Sequence, residues 1–147
     1  MSKEVYVDIN KCLACRSCEL ACSVAHSSSG VLAGALNEKP LPARMIGLES
    51  SGTDCAPIKC IHCDEAPCVE VCPAGALQKK PGQVSVSVES DLCVGCKMCT
   101  IVCPLGVLQI SVAGRSALKC ESCSELTEKG KDPACVQACP TKALRFQ

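Results

Sequence analysis

Between Cys93 and Pro104 the chain reads Cys-Val-Gly-Cys-Lys-Met-Cys-Thr-Ile-Val-Cys-Pro, four thiols separated by two, two and three residues and closed by a proline. Cys93, Cys96 and Cys99 can place three thiolates round one tight loop, each on a different iron of a cubane cluster. Gly95 lets that loop turn through a left-handed backbone conformation. Cys103 heads away from the loop, and Pro104 fixes the direction of the chain and withholds an N–H. Where two such clusters share a protein, a cysteine in this place ligates the neighbouring cluster. The run therefore calls for a partner run.

Three more runs are present. Cys12, Cys15, Cys18 and Cys22 repeat the spacing, with Ser23 in place of the proline. Cys60, Cys63, Cys68 and Cys72 widen the middle gap to four residues and keep the Cys-Pro ending. Cys120, Cys123, Cys135 and Cys139 stretch that gap to eleven residues and again end on Cys-Pro. Zinc is the rival metal, but structural zinc sites use paired Cys-x-x-Cys units. Here three runs offer a trio of close thiols with a detached fourth. All sixteen ligands are cysteine, so four 4Fe-4S clusters are expected.

The elements that position these thiols must be small. Of 147 residues 1% are aromatic, Tyr6 and Phe146, so bound metal must supply much of the centre. Val5 to Ile9 reads as a short strand, Val84 to Val88 as an alternating strand, and Leu105 to Val112 as a loop and then a strand. A last strand falls within Thr141 to Phe146. The insertion 23–54 reads as a surface excursion with a possible strand at Arg44 to Glu49. It is expected to combine a cap that shields the clusters from solvent with a contact surface for a partner protein. Ser124 to Asp132 has no apolar pattern and reads as an exposed loop. The fold class expected is α+β, with two interleaved modules of short β-hairpins and short helices round the clusters. The outer module takes 1–54 and 104–147, and the inner one 55–103.

The sharing rule requires the runs to pair. The second and third are nearest, which leaves the first and fourth to pair round the outside. Nested pairing gives the sets Cys12/Cys15/Cys18/Cys139, Cys120/Cys123/Cys135/Cys22, Cys60/Cys63/Cys68/Cys103 and Cys93/Cys96/Cys99/Cys72. Sequential pairing is the alternative, in which the first and second runs trade their fourth cysteines, Cys22 and Cys72, and the third and fourth trade Cys103 and Cys139.

Some residues outside the ligand set also bear on chemistry. Cys55, the seventeenth cysteine, fits no run and is expected to be a small buried hydrophobe. His62 sits between two ligands in a run that already has four thiols, so a hydrogen-bonding or packing role is expected. Arg16, Lys97 and Lys119 lie beside ligands and either offset cluster charge or are solvated surface cations. Fifteen acidic residues balance fifteen basic ones, with no basic patch to suggest nucleic acid. The N-terminal residues lack a leader pattern, and no apolar run reaches the ~18 residues of a membrane span. The expected compartment is the reducing cytoplasm, where such cysteine density points to metal rather than disulfides.

The four runs, the second reading Cys-x-His-Cys-x-x-Ala-Pro-Cys-x-x-x-Cys-Pro and the fourth with its long middle gap, resemble the four-cluster ferredoxin-like subunits of the dimethyl sulfoxide reductase and formate dehydrogenase type. The opening Cys12-Leu-Ala-Cys-Arg-Ser-Cys-Glu-Leu-Ala-Cys22 is similar to that of the small cytosolic partners of carbon monoxide dehydrogenase, hydrogenase, formate dehydrogenase and tungsten aldehyde oxidoreductase. The resemblance implies two pseudo-symmetric bacterial-ferredoxin-like modules, nested cluster sharing and a row of clusters acting as a wire. The partners it implies are a catalytic oxidoreductase subunit of one of those types and a second redox protein. The chain stops at Gln147, just after its last strand, which favours a complex without direct membrane insertion.

No dinucleotide fingerprint or nucleophile-base pair is evident, so the expectation is an electron-transfer subunit without its own substrate site. The alternatives are a free-standing polyferredoxin carrier and an iron-sulfur maturation protein. Because the cluster bonds do not exist in the unfolded chain, metal binding and folding are coupled. Removing iron with acid or a chelator should abolish most of the cooperative unfolding transition, as read by circular dichroism on the apo-protein.

Overall fold

The computed structural model describes residues 3–81, 85–112 and 116–147. In chain order the elements begin with β1 (Val5–Val7), α1 (Ser17–Ala25), α2 (Leu32–Ala35), β2 (Ile46–Ser51) and β3 (Asp54–Lys59). The middle adds α3 (Pro67–Glu70), β4 (Leu77–Gln78), β5 (Ser87–Val88), α4 (Met98–Val102), β6 (Gln109–Ile110) and β7 (Ala117–Leu118). The last part supplies α5 (Ser124–Thr127), α6 (Ala134–Gln137) and β8 (Leu144–Phe146). The elements are short helices and short strand pairs, as a ferredoxin-like 4Fe-4S fold requires. Among the described residues no helix is long and apolar enough to cross a membrane.

The chain forms two compact units, Met1–Ile58 with Ser122–Gln147, and Lys59–Glu121. The spacing of the runs drew the inner module over 55–103. In the structure the hairpin β6–β7 joins that unit, because Leu108 and Ala117 are buried with Ala66, Leu77, Val86 and Cys99 in one apolar cluster. Cys68, Cys72, Cys93 and Cys103 pack against the same cluster. The core side chains are small, so the thiols extend the core.

In the first unit, β1 pairs antiparallel with β8 in the register Val5↔Phe146, Tyr6↔Arg145 and Val7↔Leu144. Mutual hydrogen bonds between Glu4 and Gln147 continue the ladder. In the second unit β4 pairs with β5 and β6 with β7, both antiparallel. Of the strand expected at Val84 to Val88, Ser87–Val88 form β5; Val84 itself lies outside the described residues.

Two segments differ from their sequence reading. The insertion is more ordered than a surface excursion, since β2 pairs with β3. Asp54-Cys-Ala-Pro-Ile-Lys59 lacks alternation and carries Pro57, features that mask a strand free to leave one edge unpaired. The segment from Ser124 opens with one helical turn, α5, because the Cys123 carbonyl accepts the N–H groups of Leu126 and Thr127 at 2.8 and 3.0 Å. None of its residues is buried, so the expected exposure holds.

The insertion is anchored to α1 by Glu19, a residue that the ligand spacing does not single out. Glu19 is buried, its Oε1 accepts the Leu48 N–H of β2 at 2.8 Å, and its Oε2 takes the Arg16 guanidinium at 3.1 Å. Arg44 adds a longer ion pair at 3.7 Å. Glu19→Ala strands the Leu48 donor and should cost roughly 1–3 kcal/mol, read as a lower guanidinium midpoint of the cluster-loaded protein. Glu19→Gln keeps an acceptor and should cost less.

Candidate metal centres

The cysteine loops repeat in backbone geometry as well as in spacing. The residue before the second cysteine of each run is left-handed: Ala14, His62, Gly95 and Ser122 have φ of 54, 53, 69 and 55°. In the first and third runs the residue after that cysteine is left-handed too, Arg16 at 59° and Lys97 at 65°. Only Gly95 was legible as such a position. After the Cys-Pro endings a second turn recurs, in which Gly75, Gly106 and Lys142 donate their N–H to the carbonyls of Cys72, Cys103 and Cys139 at 3.2, 3.1 and 3.3 Å.

These turns bring thiols together in three cavities. Cys60, Cys63 and Cys68 line one with Cys103. Cys93, Cys96 and Cys99 line another with Cys72. Cys12, Cys15 and Cys18 line a third with Cys139. The space free of protein atoms, part of it open to solvent, is about 370, 340 and 320 Å³ respectively, near enough to equal for one kind of occupant. In each cavity three thiols come from one run and the fourth from another. Of the remaining ligand candidates, Cys22 and Cys135 are buried on α1 and α6, which pack against each other, and Cys123 precedes α5. Cys120 belongs to the second unit.

Among the described residues no three Cys, His, Asp or Glu groups converge as a site for a single ion. Four thiols round a cavity are the donor set of a cubane cluster, whose irons occupy separate corners. The residues present therefore fit the group that the spacing implies.

The thiols differ in electrostatics by their place in the run. Burial pushes the third thiol of each trio, Cys18, Cys68 and Cys99, above the usual thiol range. Burial also acts upward on Cys72, but the backbone N–H groups of Leu77, Ala76, Ala74 and Gly75 outweigh it and the net shift is down. Cys139 follows the same pattern, with the Leu144 N–H and the Thr141 hydroxyl among the groups that outweigh burial. Cys15 is lowered by the hydroxyl and N–H of Ser17. A thiolate is the metal ligand, so these N–H and O–H groups favour the form that binds iron.

The companion residues resolve individually. His62 is buried and its Nδ1 accepts the Val86 N–H at 3.2 Å. Burial, then Lys119, Lys59 and Lys79, lower its pKa to about 4. Lys119 is buried, whereas Arg16 and Lys97 are exposed. Cys55 is half-buried on β3, lines none of the three cavities, and its thiol donates to the Cys12 carbonyl at 3.7 Å. Lys59, buried with its Nζ on the Cys60 carbonyl at 3.0 Å, was not singled out from the sequence.

Residues 52–147 match the model of the 4Fe-4S dicluster domain family, and residues 9–25 match that of a 4Fe-4S binding domain. The chain belongs to the 4Fe-4S dicluster family. It is 41% identical over 155 residues to an iron-sulfur protein of Rhodospirillum rubrum, covering 97% of this chain and 80% of that protein. The electron transport protein HydN of Escherichia coli is 36% identical over 159 residues, covering 98% of this chain and 87% of its own length. A sulfite dehydrogenase subunit of Allochromatium vinosum is 31% identical over 159 residues, covering 95% of this chain and 66% of that subunit. The thiol-lined cavities of this 4Fe-4S protein thus belong to a family whose cofactor has the donor set they provide.

The left-handed positions can be tested directly. A side chain there costs about 1–2 kcal/mol, part of which glycine's own entropy offsets. Ala14→Gly should stabilise the loaded protein by up to about 1 kcal/mol, and Gly95→Ala should destabilise it by a similar amount. Both are read from denaturant midpoints followed at the cluster absorbance.

Proposed function

We propose that this chain holds four 4Fe-4S clusters and relays single electrons between a catalytic oxidoreductase subunit and a second redox protein. The observation that carries the reading is the grouping of thiols, three from one run and the fourth from another, in each of three cavities of similar size. That grouping favours nested over sequential pairing. Cys103 lines the cavity of the second run, Cys72 that of the third and Cys139 that of the first. The same ligand rule assigns Cys22, Cys120, Cys123 and Cys135 to the fourth cluster. When bound, such clusters take up and release one electron each, at potentials set by hydrogen bonding, charge and burial.

The chain's own residues hold and tune the site. The sixteen thiols bind iron, and the turns after Cys72 and Cys139 aim N–H groups that favour a negative sulfur. The apolar walls limit water access. Relatives named as an electron transport protein and as a subunit of sulfite dehydrogenase support a relay role, with bond-making chemistry assigned to the partner. By its resemblance that partner is an oxidoreductase of the aldehyde, carbon monoxide, formate or hydrogen type, in the cytoplasm.

Anoxic native purification should yield about sixteen iron atoms per chain together with a co-purifying catalytic subunit. Dominant zinc would sink the cluster assignment, and elution alone in redox-active form would replace the subunit with a free carrier. Cys15→Ser and Cys139→Ser should perturb the same electron paramagnetic resonance signal. If Cys15→Ser instead shares its signal with Cys72→Ser, the pairing is sequential.

A further inference from the structure

Within Lys59–Glu121 the buried polar side chains among the described residues are Lys59, His62 and Lys119, which are 6, 4 and 2% exposed. These are two amines and an imidazole, without a buried carboxylate. Lys119 Nζ donates to the Cys120 carbonyl at 2.9 Å and lies 3.4 Å from His62 Nδ1, which also accepts the Val86 N–H at 3.2 Å. Two N–H donors on one ring nitrogen fix it as the acceptor, so His62 is neutral with its proton on Nε2. Lys59 Nζ is held in the same manner on the Cys60 carbonyl at 3.0 Å.

A buried ammonium is costly unless an anion compensates it. Burial pushes the Lys119 amine below its ordinary range, and the thiols of Cys60 and Cys120, the surface carboxylate of Glu121 and the thiol of Cys68 oppose that shift; Cys60 Sγ lies 4.0 Å from the same His62 Nδ1. Lys119 in turn favours the thiolate of Cys68. Of the four groups that favour the charged amine, three are thiols and the carboxylate is at the surface, so the anion available in the interior is thiolate sulfur. The second cavity of the unit, with Cys72, Cys93, Cys96 and Cys99, has Lys97 in its lining, but that residue is exposed and its charge is screened by solvent.

We infer that Lys119, together with Lys59 on the Cys60 carbonyl, is a fixed cation that holds the site of Cys60, Cys63, Cys68 and Cys103 at a higher reduction potential than the site of Cys72, Cys93, Cys96 and Cys99. Both are positioning residues that act through the ligands. Adding an electron to an anionic site strengthens its attraction to a nearby cation, so the reduced form gains more than the oxidised form and the potential rises. An electron passing from the Cys93 site to the Cys60 site oxidises the first by one and reduces the second by one. In this unit it comes to rest at the Cys60 site. The inference rests on the ligand sets proposed above.

The test is an anoxic redox titration of the cluster-loaded protein, followed by electron paramagnetic resonance. Lys119→Met should keep the wild-type iron content and lower the midpoint of the cluster whose signal Cys63→Ser alters by more than that of the cluster whose signal Cys96→Ser alters. Lys119→Arg, which retains the charge, should return that midpoint toward wild type. If Lys119→Met loses iron, Lys59→Met and Lys59→Arg put the same question to the neighbouring cation. Full iron with unchanged midpoints, or an equal fall at all clusters, overturns the inference while leaving the ligand sets standing. Wild-type iron well short of about sixteen atoms overturns the ligand sets themselves.

Discussion

Cys72 and Cys103 each lie in one run and line the cavity of another, and the packing of the second unit depends on that exchange. A loop such as Cys93 to Cys99 supplies three thiols but cannot surround a cluster alone; the missing corner has to come from elsewhere in the chain. Each Cys-Pro ending meets that need by leaving its own helix at once. The fourth thiol then lies against strands and helices brought from other parts of the chain. The short hairpins β4–β5 and β6–β7, which would be marginal by themselves, are held because Leu77, Val88, Ile110 and Ala117 pack with those thiols in one apolar cluster. Metal binding and chain topology are the same constraint here.

Charge follows from that constraint. A sulfur-rich centre carries negative charge once iron is bound, and buried cations beside it are then paired instead of stranded. Lysine directly precedes the first cysteine in three runs, as Lys11, Lys59 and Lys119. Lys11 is exposed and pairs with Asp8 at 3.3 Å, whereas the other two are buried with their amines on the next residue's carbonyl. The two buried cases belong to the runs with a widened middle gap. The same residue in the same place is therefore a surface ion pair in one run and a buried amine in two others.

How far the sequence was legible follows from what its spacing encodes. Thiol spacing is a local property, so sixteen candidate ligands and the grouping of trios could be read directly, and strands at both ends were visible, the first as a short β-branched stretch. The left-handed residues Ala14, His62 and Ser122 were hidden because only glycine advertises that conformation. β3 was hidden because a two-stranded pair imposes no alternation and tolerates Pro57. The burial of Lys59 and Glu19 was hidden because it depends on partners distant in sequence or on a centre that the residue types alone do not locate. The end of the inner unit was displaced for a related reason. The Cys-Pro ending at Cys103 looks like a boundary, but the hairpin that follows buries Leu108 and Ala117 in the same core.

The missing proline after Cys22 and the insertion that follows it form one device. Where proline follows the fourth cysteine, the helix stops and the next turn wraps N–H groups toward that sulfur, as at Cys72 and Cys139. With Ser23 in that place, α1 continues to Ala25 and Cys22 remains inside the helix, so no such turn can form. Its sulfur instead accepts the Met45 N–H at 3.2 Å, from the far end of the insertion. Met45 and Ile46 are buried, and Glu19, one turn earlier on α1, takes the Leu48 N–H. The insertion therefore provides from a distance the backbone donor that the endings at Cys72 and Cys139 provide locally. Its folding against α1 gives the Cys22 sulfur a backbone donor in addition to the His26 Nδ1 that lies 3.7 Å away on the same helix end.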